Sequence, residues 1–138
     1  MLTNITVADT DLDNIIPNIS DYKFSGQANF NDQIAEARKD VYRLVYADME
    51  NSFPSKTHSA LKTEVEKVKD FSETPNLKDA IIRLALAKIY KGNNLLELAD
   101  AYEMEASHIP LRYHYDIDGD NVVDVGEINE RSKYVFGR

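Results

Sequence analysis

Oxygen-bearing side chains are concentrated in one segment near the end of the chain. Residues 116–127 read DIDGDNVVDVGE and carry five carboxylates within twelve positions. At neutral pH these groups repel one another, and a bound divalent cation would remove that electrostatic cost. Calcium prefers about six to eight oxygen ligands, which carboxylates and backbone carbonyls supply. The composition of the segment therefore predicts a calcium site.

The spacing of these groups resembles the calcium loop of EF-hand and dockerin-type modules. The sixth position, which is glycine in that pattern, is Asn121, the non-glycine residue best suited to a left-handed backbone. A single unpaired loop implies weak binding, with a dissociation constant of about 0.1–1 mM. The resemblance assigns the first, third, fifth, seventh, ninth and twelfth positions to six ligands: Asp116, Asp118, Asp120, the backbone carbonyl of Val122, Asp124 and Glu127.

The same segment also fits a simpler structure without a metal. Asp118 to Asn121 read DGDN, which is typical of a β-turn that joins two strands, here LRYHY and VVDV. The residues before the segment include Pro110 and alternate between apolar and polar types, which indicates an extended chain. An EF-hand has an entering helix at that place. A calcium loop and a solvated acidic hairpin are therefore both open at this point.

The overall composition excludes several classes of site. The chain of 138 residues has 24 acidic and 16 basic residues, a net charge of −8, and no cysteine. The absence of cysteine rules out disulfides, thiolate nucleophiles and sulfur-ligated metals. The negative charge disfavours sequence-specific nucleic-acid binding and anionic membranes. An apolar content of 43% is typical of a soluble domain, and neither an export signal nor a membrane span is recognisable.

Catalytic motifs are not found in the sequence. The three histidines, His58, His108 and His114, do not stand four residues apart with a carboxylate partner, as a histidine metal site on a helix would require. No nucleophile elbow, phosphate-binding loop or dinucleotide fingerprint occurs. The sequence therefore predicts a protein that is not an enzyme.

The hydrophobic pattern predicts a small all-α helical bundle formed by a single domain, residues 1–138. An N-terminal arm, residues 1–28, contains one short helix. About four longer helices form the core over residues 29–109. Residues 110–138 form an extended segment, an acidic calcium-type loop or β-hairpin, and a tail.

The four longer helices are predicted from apolar residues that recur every three or four positions. In the fourth, Leu95, Leu98, Tyr102 and Met104 are predicted to face inward. The tail from Ile128 onward predicts one or two helical turns. The third helix is apolar nearly all round, so it is predicted to be the central element. The predicted helices span 31–49, 58–71, 75–91 and 95–108.

Three tyrosines lie in segments that a small helical core does not obviously cover. Tyr113 and Tyr115 belong to the extended segment, and Tyr134 belongs to the tail. Exposed aromatic residues are candidates for contact with a partner subunit. The alternative is that the same segments fold back onto the chain's own core, and the sequence favours neither interpretation.

The order of the predicted elements resembles that of tailed-bacteriophage head–tail connector proteins, also called adaptor or head-completion proteins. The resemblance depends mainly on the buried helix LKDAIIRLALAKIY and on the acidic segment DIDGDNVVDVGE. It implies a non-catalytic structural protein of the virion neck, assembled in the host cytoplasm. Such a protein forms a homo-oligomeric, dodecameric ring under the portal protein, and residues 111–138 would reach that portal.

A connector of this kind extends the DNA channel and offers a docking surface to stopper or tail proteins. An acidic lining suits the passage of DNA because it repels phosphates. The alternative function is a calcium-binding regulatory or interaction module that uses the loop from Asp116 to Glu127. About nine-tenths of the chain lies outside that loop, which favours the structural protein.

Overall fold

The computed structural model describes residues 2–115 and 128–134. Its described part is mainly helical, with a small antiparallel sheet of strand order β1-β2-β3. The predicted helical bundle is confirmed at this coarse level, and the sheet is an addition to the all-α prediction. The helices are α1 (Asp9–Ile15), α2 (Asn31–Ser52), α3 (His58–Glu66), α4 (Asn76–Gly92) and α5 (Leu96–Ser107), and the strands are β1 (Val68–Lys69), β2 (Pro110–Tyr115) and β3 (Ile128–Tyr134).

Helix α4 is the centre of the molecule, as its all-round apolar sequence predicts. It packs against α2, α5, β2 and α1, and ten of its seventeen residues are buried. A threonine at this position suggests a helix cap, but Thr74 does not cap the first turn. Instead, the two carboxylate oxygens of Asp70 accept the backbone N–H groups of Leu77 and Lys78, each at 2.8 Å.

The N-terminal arm packs on the helical core. Leu2, Ile5 and Leu12 are buried in the same hydrophobic cluster as α4. The Arg38 guanidinium donates hydrogen bonds to the backbone carbonyls of Leu2, at 2.9 Å, and of Ile5. One side chain of α2 therefore fixes the start of the chain.

Helix α3 ends five residues earlier than the pattern predicts. It stops at Glu66, and residues 68–69 instead pair with β2, with Val68 opposite Tyr115 and Lys69 opposite His114. Val68 is fully buried in this position. Its spacing from the apolar residues before it fits a helix, but the same side chain reaches the core from a strand that also satisfies backbone groups of β2.

Residues 128–134 form strand β3, so the prediction of helical turns after Glu127 is wrong for that stretch. Strand β3 pairs with the outer edge of β2, with His114 opposite Ile128 and Pro110 opposite Tyr134. Strand β1 pairs with one edge of β2, and β3 satisfies the backbone groups on the opposite edge. The remaining residues assigned to those turns, Val135 and Phe136, lie outside the described residues.

The inward face predicted for α5 is right in part, because Leu95 and Tyr102 pack against the core. Leu98 and Met104 are 44% and 63% exposed, whereas Ala99 and Ala106 are buried. Tyr102 is half-buried, and its ring stacks on Tyr90 of α4 at 5.7 Å between centroids. Two alanines on one face let α5 approach α4 closely, so the larger apolar residues lie on the outside.

Among the helices that the structure describes, none is long and apolar enough to cross a bilayer.

Candidate functional site

Strand β2 leads directly into the acidic segment, and it is anchored in the core. Its residues alternate between the two faces of the sheet, with Leu111, Tyr113 and Tyr115 buried. Arg112 and His114 lie on the other face and are half-buried. This alternation is the pattern from which the sequence predicts an extended segment, so that prediction is confirmed.

A buried hydrogen bond attaches the strand to the longest helix. The Tyr113 hydroxyl donates to Asp48 Oδ2 of α2 at 2.6 Å, and neither residue is more than 1% exposed. Removing the donor would leave a buried carboxylate without this partner, which costs about 1–3 kcal/mol. The sequence signals the burial of Asp48, because it continues the apolar stripe of Val41 and Val45 on α2, but it does not indicate the partner.

Tyr115 closes the same buried face next to the acidic segment. Its ring lies edge-on to Phe53 at 5.9 Å and 6.4 Å from the ring of Tyr113. Because Tyr113 and Tyr115 are buried within their own chain, the expectation that they contact a partner subunit is corrected, and the alternative interpretation holds for both. The structure describes Tyr134 only through its strand position opposite Pro110, so a partner contact of its side chain stays a prediction.

The outer face of β2 packs against the segment between α3 and α4. The Arg112 guanidinium lies 3.9 Å from the ring centre of Phe71 and donates to Thr74 Oγ1 at 2.7 Å. The ring of His114 lies 4.9 Å from that of Phe71. Both faces of β2 are therefore covered, and the strand is a firm support for the acidic segment.

The acidic segment connects two paired strands. His114 is opposite Ile128, so the residues before Asp116 and after Glu127 lie side by side. This arrangement differs from an EF-hand, where both neighbours of the loop are helices. The six predicted ligands, Asp116, Asp118, Asp120, Val122, Asp124 and Glu127, all lie outside the described residues, so the structure gives no geometry for them.

The histidine and carboxylate side chains of the described residues are the next candidates for a metal centre. Within the part of the chain that the structure describes, no group of three or more histidine, aspartate or glutamate side chains is arranged to hold a metal ion. His58 Nδ1 is hydrogen-bonded to the Tyr46 hydroxyl at 2.5 Å, and His108 Nδ1 to the Met104 carbonyl at 2.7 Å. These histidines have structural partners on their own or a neighbouring helix.

The charged groups with shifted pKa values have structural roles. Burial raises the pKa of the Asp70 carboxyl, although its two backbone hydrogen bonds at the start of α4 oppose the shift. Burial also lowers the pKa of the Arg38 guanidinium, which binds the N-terminal carbonyls, and Glu66 opposes that shift. No sequence signal indicates the Asp70 cap, because the carboxylate precedes the helix by six residues.

A firmly anchored strand pair holds the two ends of a segment with five carboxylates close together.

Comparisons with protein-family models, with curated proteins and with solved structures found no match to this chain.

Proposed function

We propose that this chain is a structural, non-catalytic virion protein, a head–tail adaptor that assembles as a ring under the portal and links it to the stopper or tail. The observation that supports this function best is the attachment of the C-terminal strand pair to the helical body. Tyr113 and Asp48 join β2 to α2 at 2.6 Å, and β3 pairs along β2. A subunit that transmits contacts between two larger rings needs such a firm connection.

The charge of the chain agrees with a position around a DNA channel. A net charge of −8 would repel phosphates and prevent DNA from adhering during its passage. Leu2, Ile5 and Leu12 of the N-terminal arm share one hydrophobic core with the central helix α4, which agrees with the compact helical body that the resemblance to connector proteins implies.

The adaptor function is tested by binding to the portal protein encoded in the same genome. We expect the purified chain to form a ring on that portal, visible by electron microscopy of the mixture. A variant with Tyr113→Phe, which loosens the strand pair from α2, should bind less. Failure of the unmutated chain to bind the portal would contradict the proposal.

The acidic segment supports a calcium-linked second candidate, a regulatory or interaction module. Because β2 and β3 hold its two ends together, less chain entropy is lost when the carboxylates converge on an ion. In the adaptor, a calcium ion would stiffen the C-terminal part. In the alternative module, calcium binding by the loop would itself be the function.

Calcium binding is tested by calorimetric titration after the protein has been stripped with a chelator. We expect saturable binding in the range of about 0.1–1 mM, and its loss when Asp118→Ala is combined with Glu127→Ala. A matched control combines Asp32→Ala with Glu36→Ala, which removes the same charge from an exposed stretch of α2. An absence of binding heat in the unmutated protein would reduce the segment to an acidic hairpin loop.

A further inference from the structure

A groove lies on helix α4 between α2 and α5 and has a volume of about 720 Å³. This size falls within the range of about 300–1,000 Å³ that is typical of ligand sites in proteins. We name it the α4 groove. The lining residues that matter for its chemistry are Leu84, Ala87, Asp100, Glu103, Met104 and Ser107.

The base of the α4 groove is apolar. Leu84 and Ala87 of α4 line it and are only 4% and 2% exposed. Met104 of α5 stands beside them and is 63% exposed. The flexible thioether of methionine adapts to the shape of an apolar partner and makes favourable contacts with aromatic rings. The groove therefore suits an aromatic or aliphatic side chain.

The wall that α5 contributes carries negative charge. Asp100 and Glu103 are exposed, and in the described part of the chain no ion pair joins either of them to a basic side chain. Lys88, which also lines the groove, is held by Asp40, with 3.0 Å between its Nζ and Oδ2. An occupant that combines an apolar group with a positive charge would therefore complement this surface.

The segment that follows β3 has this chemistry. Residues 135–138 read VFGR and lie outside the described residues. Phe136 offers an aromatic ring for the apolar base of the groove. Arg138, two positions later, offers a guanidinium, which pairs bidentately with a carboxylate. Ring and charge therefore occur in the segment at a short spacing, as they do in the groove, where Met104 follows Glu103.

The described strands bring the start of this segment toward one end of the groove. Tyr134 is opposite Pro110, which comes three residues after Ser107 in the lining of the groove. Strand β3 is antiparallel to β2 and β2 follows α5, so β3 runs toward the end of α5.

The N-terminal arm lies at the other edge of the sheet. The order of the strands is β1-β2-β3, so β1 and β3 lie on opposite edges of β2. The side-chain amide of Asn4 donates to the carbonyl of Glu66, just before β1, at 3.0 Å. The arm therefore does not lie between β3 and the groove.

The segment is long enough to enter the groove. Two extended residues span about 7 Å and four span about 13–14 Å. Along α5, Met104 and Glu103 lie about 4.5 Å and 6 Å before Ser107. Phe136 would therefore meet Met104 once the segment passes Ser107, and the long side chain of Arg138 would extend to Glu103.

We propose that the α4 groove binds residues 135–138 of its own chain, with Phe136 against Met104 and Arg138 facing Glu103 and Asp100. The inference goes beyond the proposed function and concerns the free subunit. One consequence rests on the proposed function: in an adaptor, the groove would hold these residues until the portal displaces them.

The methyl groups of the methionines report on the occupant of the groove by NMR. Met104 lies at the groove, whereas Met49 is fully buried in the core. An aromatic ring shifts the signal of a methyl group that it covers. We therefore expect Phe136→Ala to move the Met104 signal and to leave the Met49 signal unchanged. Phe136→Tyr keeps the ring and is the matched control, so it should preserve the Met104 signal.

Charge reversal tests the position of Arg138. The change that Phe136→Ala produces in the Met104 signal is measured in each charge background. It should disappear in Arg138→Glu, because the like charges of Asp100 and Glu103 expel the segment. It should return when Arg138→Glu is combined with Asp100→Lys and Glu103→Lys. The control Lys62→Glu, at an exposed position of α3, should leave it intact.

The possible failures separate the two proposals. A Met104 signal that Phe136→Ala leaves unchanged, or a failure of the charge rescue, would overturn the binding of residues 135–138 in the groove. A Met104 signal that moves on dilution of the unmutated chain would also overturn it, because the occupant would then be a second copy. The expected NMR changes in a chain that does not bind the portal would contradict the adaptor function alone.

Discussion

Helices α4 and α5 are consecutive and pack against each other, yet their relation to solvent is opposite. Ten of seventeen residues are buried in α4, whereas two of twelve are buried in α5, Ala99 and Ala106. Helix α4 is covered by α2, α5, β2 and α1. Helix α5 leaves Leu96, Leu98 and Met104 exposed. Whether an apolar side chain is buried here therefore depends on how many elements pack around its helix and not on its own hydropathy.

The sharpest test of this contrast is one substitution made in both helices. Leu86 of α4 is fully buried, and Leu96 of α5 is 57% exposed. We expect Leu86→Ala to lower the free energy of unfolding by about 2–5 kcal/mol, because it removes buried methyl groups and leaves a cavity. Leu96→Ala should change it by less than about 0.5 kcal/mol. Urea denaturation measures both, and equal losses would contradict the contrast.

The two helices also show how well the sequence pattern predicts which residues are buried. The apolar residues of α4 surround the helix, so a single outcome, central burial, fits the pattern. In α5 the large apolar residues and the alanines lie on different faces, and the pattern predicts burial of the larger ones. Close approach to α4 and the stacking of Tyr102 on Tyr90 instead select the alanine face. That selection depends on the partner helix, which a local pattern does not contain.

A similar limit applies to the candidate site. Alternation predicts β2 because the signal lies within six residues. The pairing of Val68 with Tyr115 and the bond from Tyr113 to Asp48 join residues far apart in the chain. The spacing of Val68 fits a helix as well as a strand, and its tertiary contacts decide between them. The six predicted calcium ligands come from a local motif, and they lie outside the described residues.

The contrast between buried and exposed positions also applies to a polar contact that joins the sheet to a helix. Tyr113→Phe removes the donor to Asp48 Oδ2 and keeps the ring in the core. We expect a loss of about 1–3 kcal/mol in the free energy of unfolding, because the buried carboxylate loses this hydrogen bond. The control, Tyr102→Phe, alters a half-buried ring on α5 and should cost less. A negligible effect of Tyr113→Phe in chemical denaturation would show that the bond does not hold β2 to α2.

The close approach of α5 to its neighbours is tested by enlarging an alanine. Ala106 is fully buried, so Ala106→Leu forces extra atoms into a packed contact and should cost about 1–3 kcal/mol. Ala101 lies on the exposed side of the same helix, and Ala101→Leu should change stability by less than about 0.5 kcal/mol. Thermal unfolding of the two variants compares them directly. If Ala106→Leu is tolerated equally well, α5 does not pack through its small residues.

The smallest expected effect concerns the carboxylate that caps α4. Asp70→Asn leaves one oxygen to accept a backbone N–H where the carboxylate accepts two, so we expect a loss of about 1 kcal/mol at neutral pH. Burial raises the pKa of Asp70, so the folded state holds this proton more tightly than the unfolded chain. The contribution of the proton to stability is therefore complete below about pH 4 and is lost as the pH rises through the folded-state pKa.

The titration of Asp70 predicts how the loss of stability in Asp70→Asn changes with pH. The advantage of the unmutated chain over Asp70→Asn should shrink as the pH rises from about 4 toward neutrality, measured by urea unfolding at each pH. Glu73→Gln, at an exposed position on the same connection, removes an equal charge without touching the cap and is the matched control. A constant difference between the unmutated chain and Asp70→Asn would mean that the two hydrogen bonds balance burial, and a difference that grows with pH would mean that they outweigh it. Either result would contradict a raised pKa of Asp70.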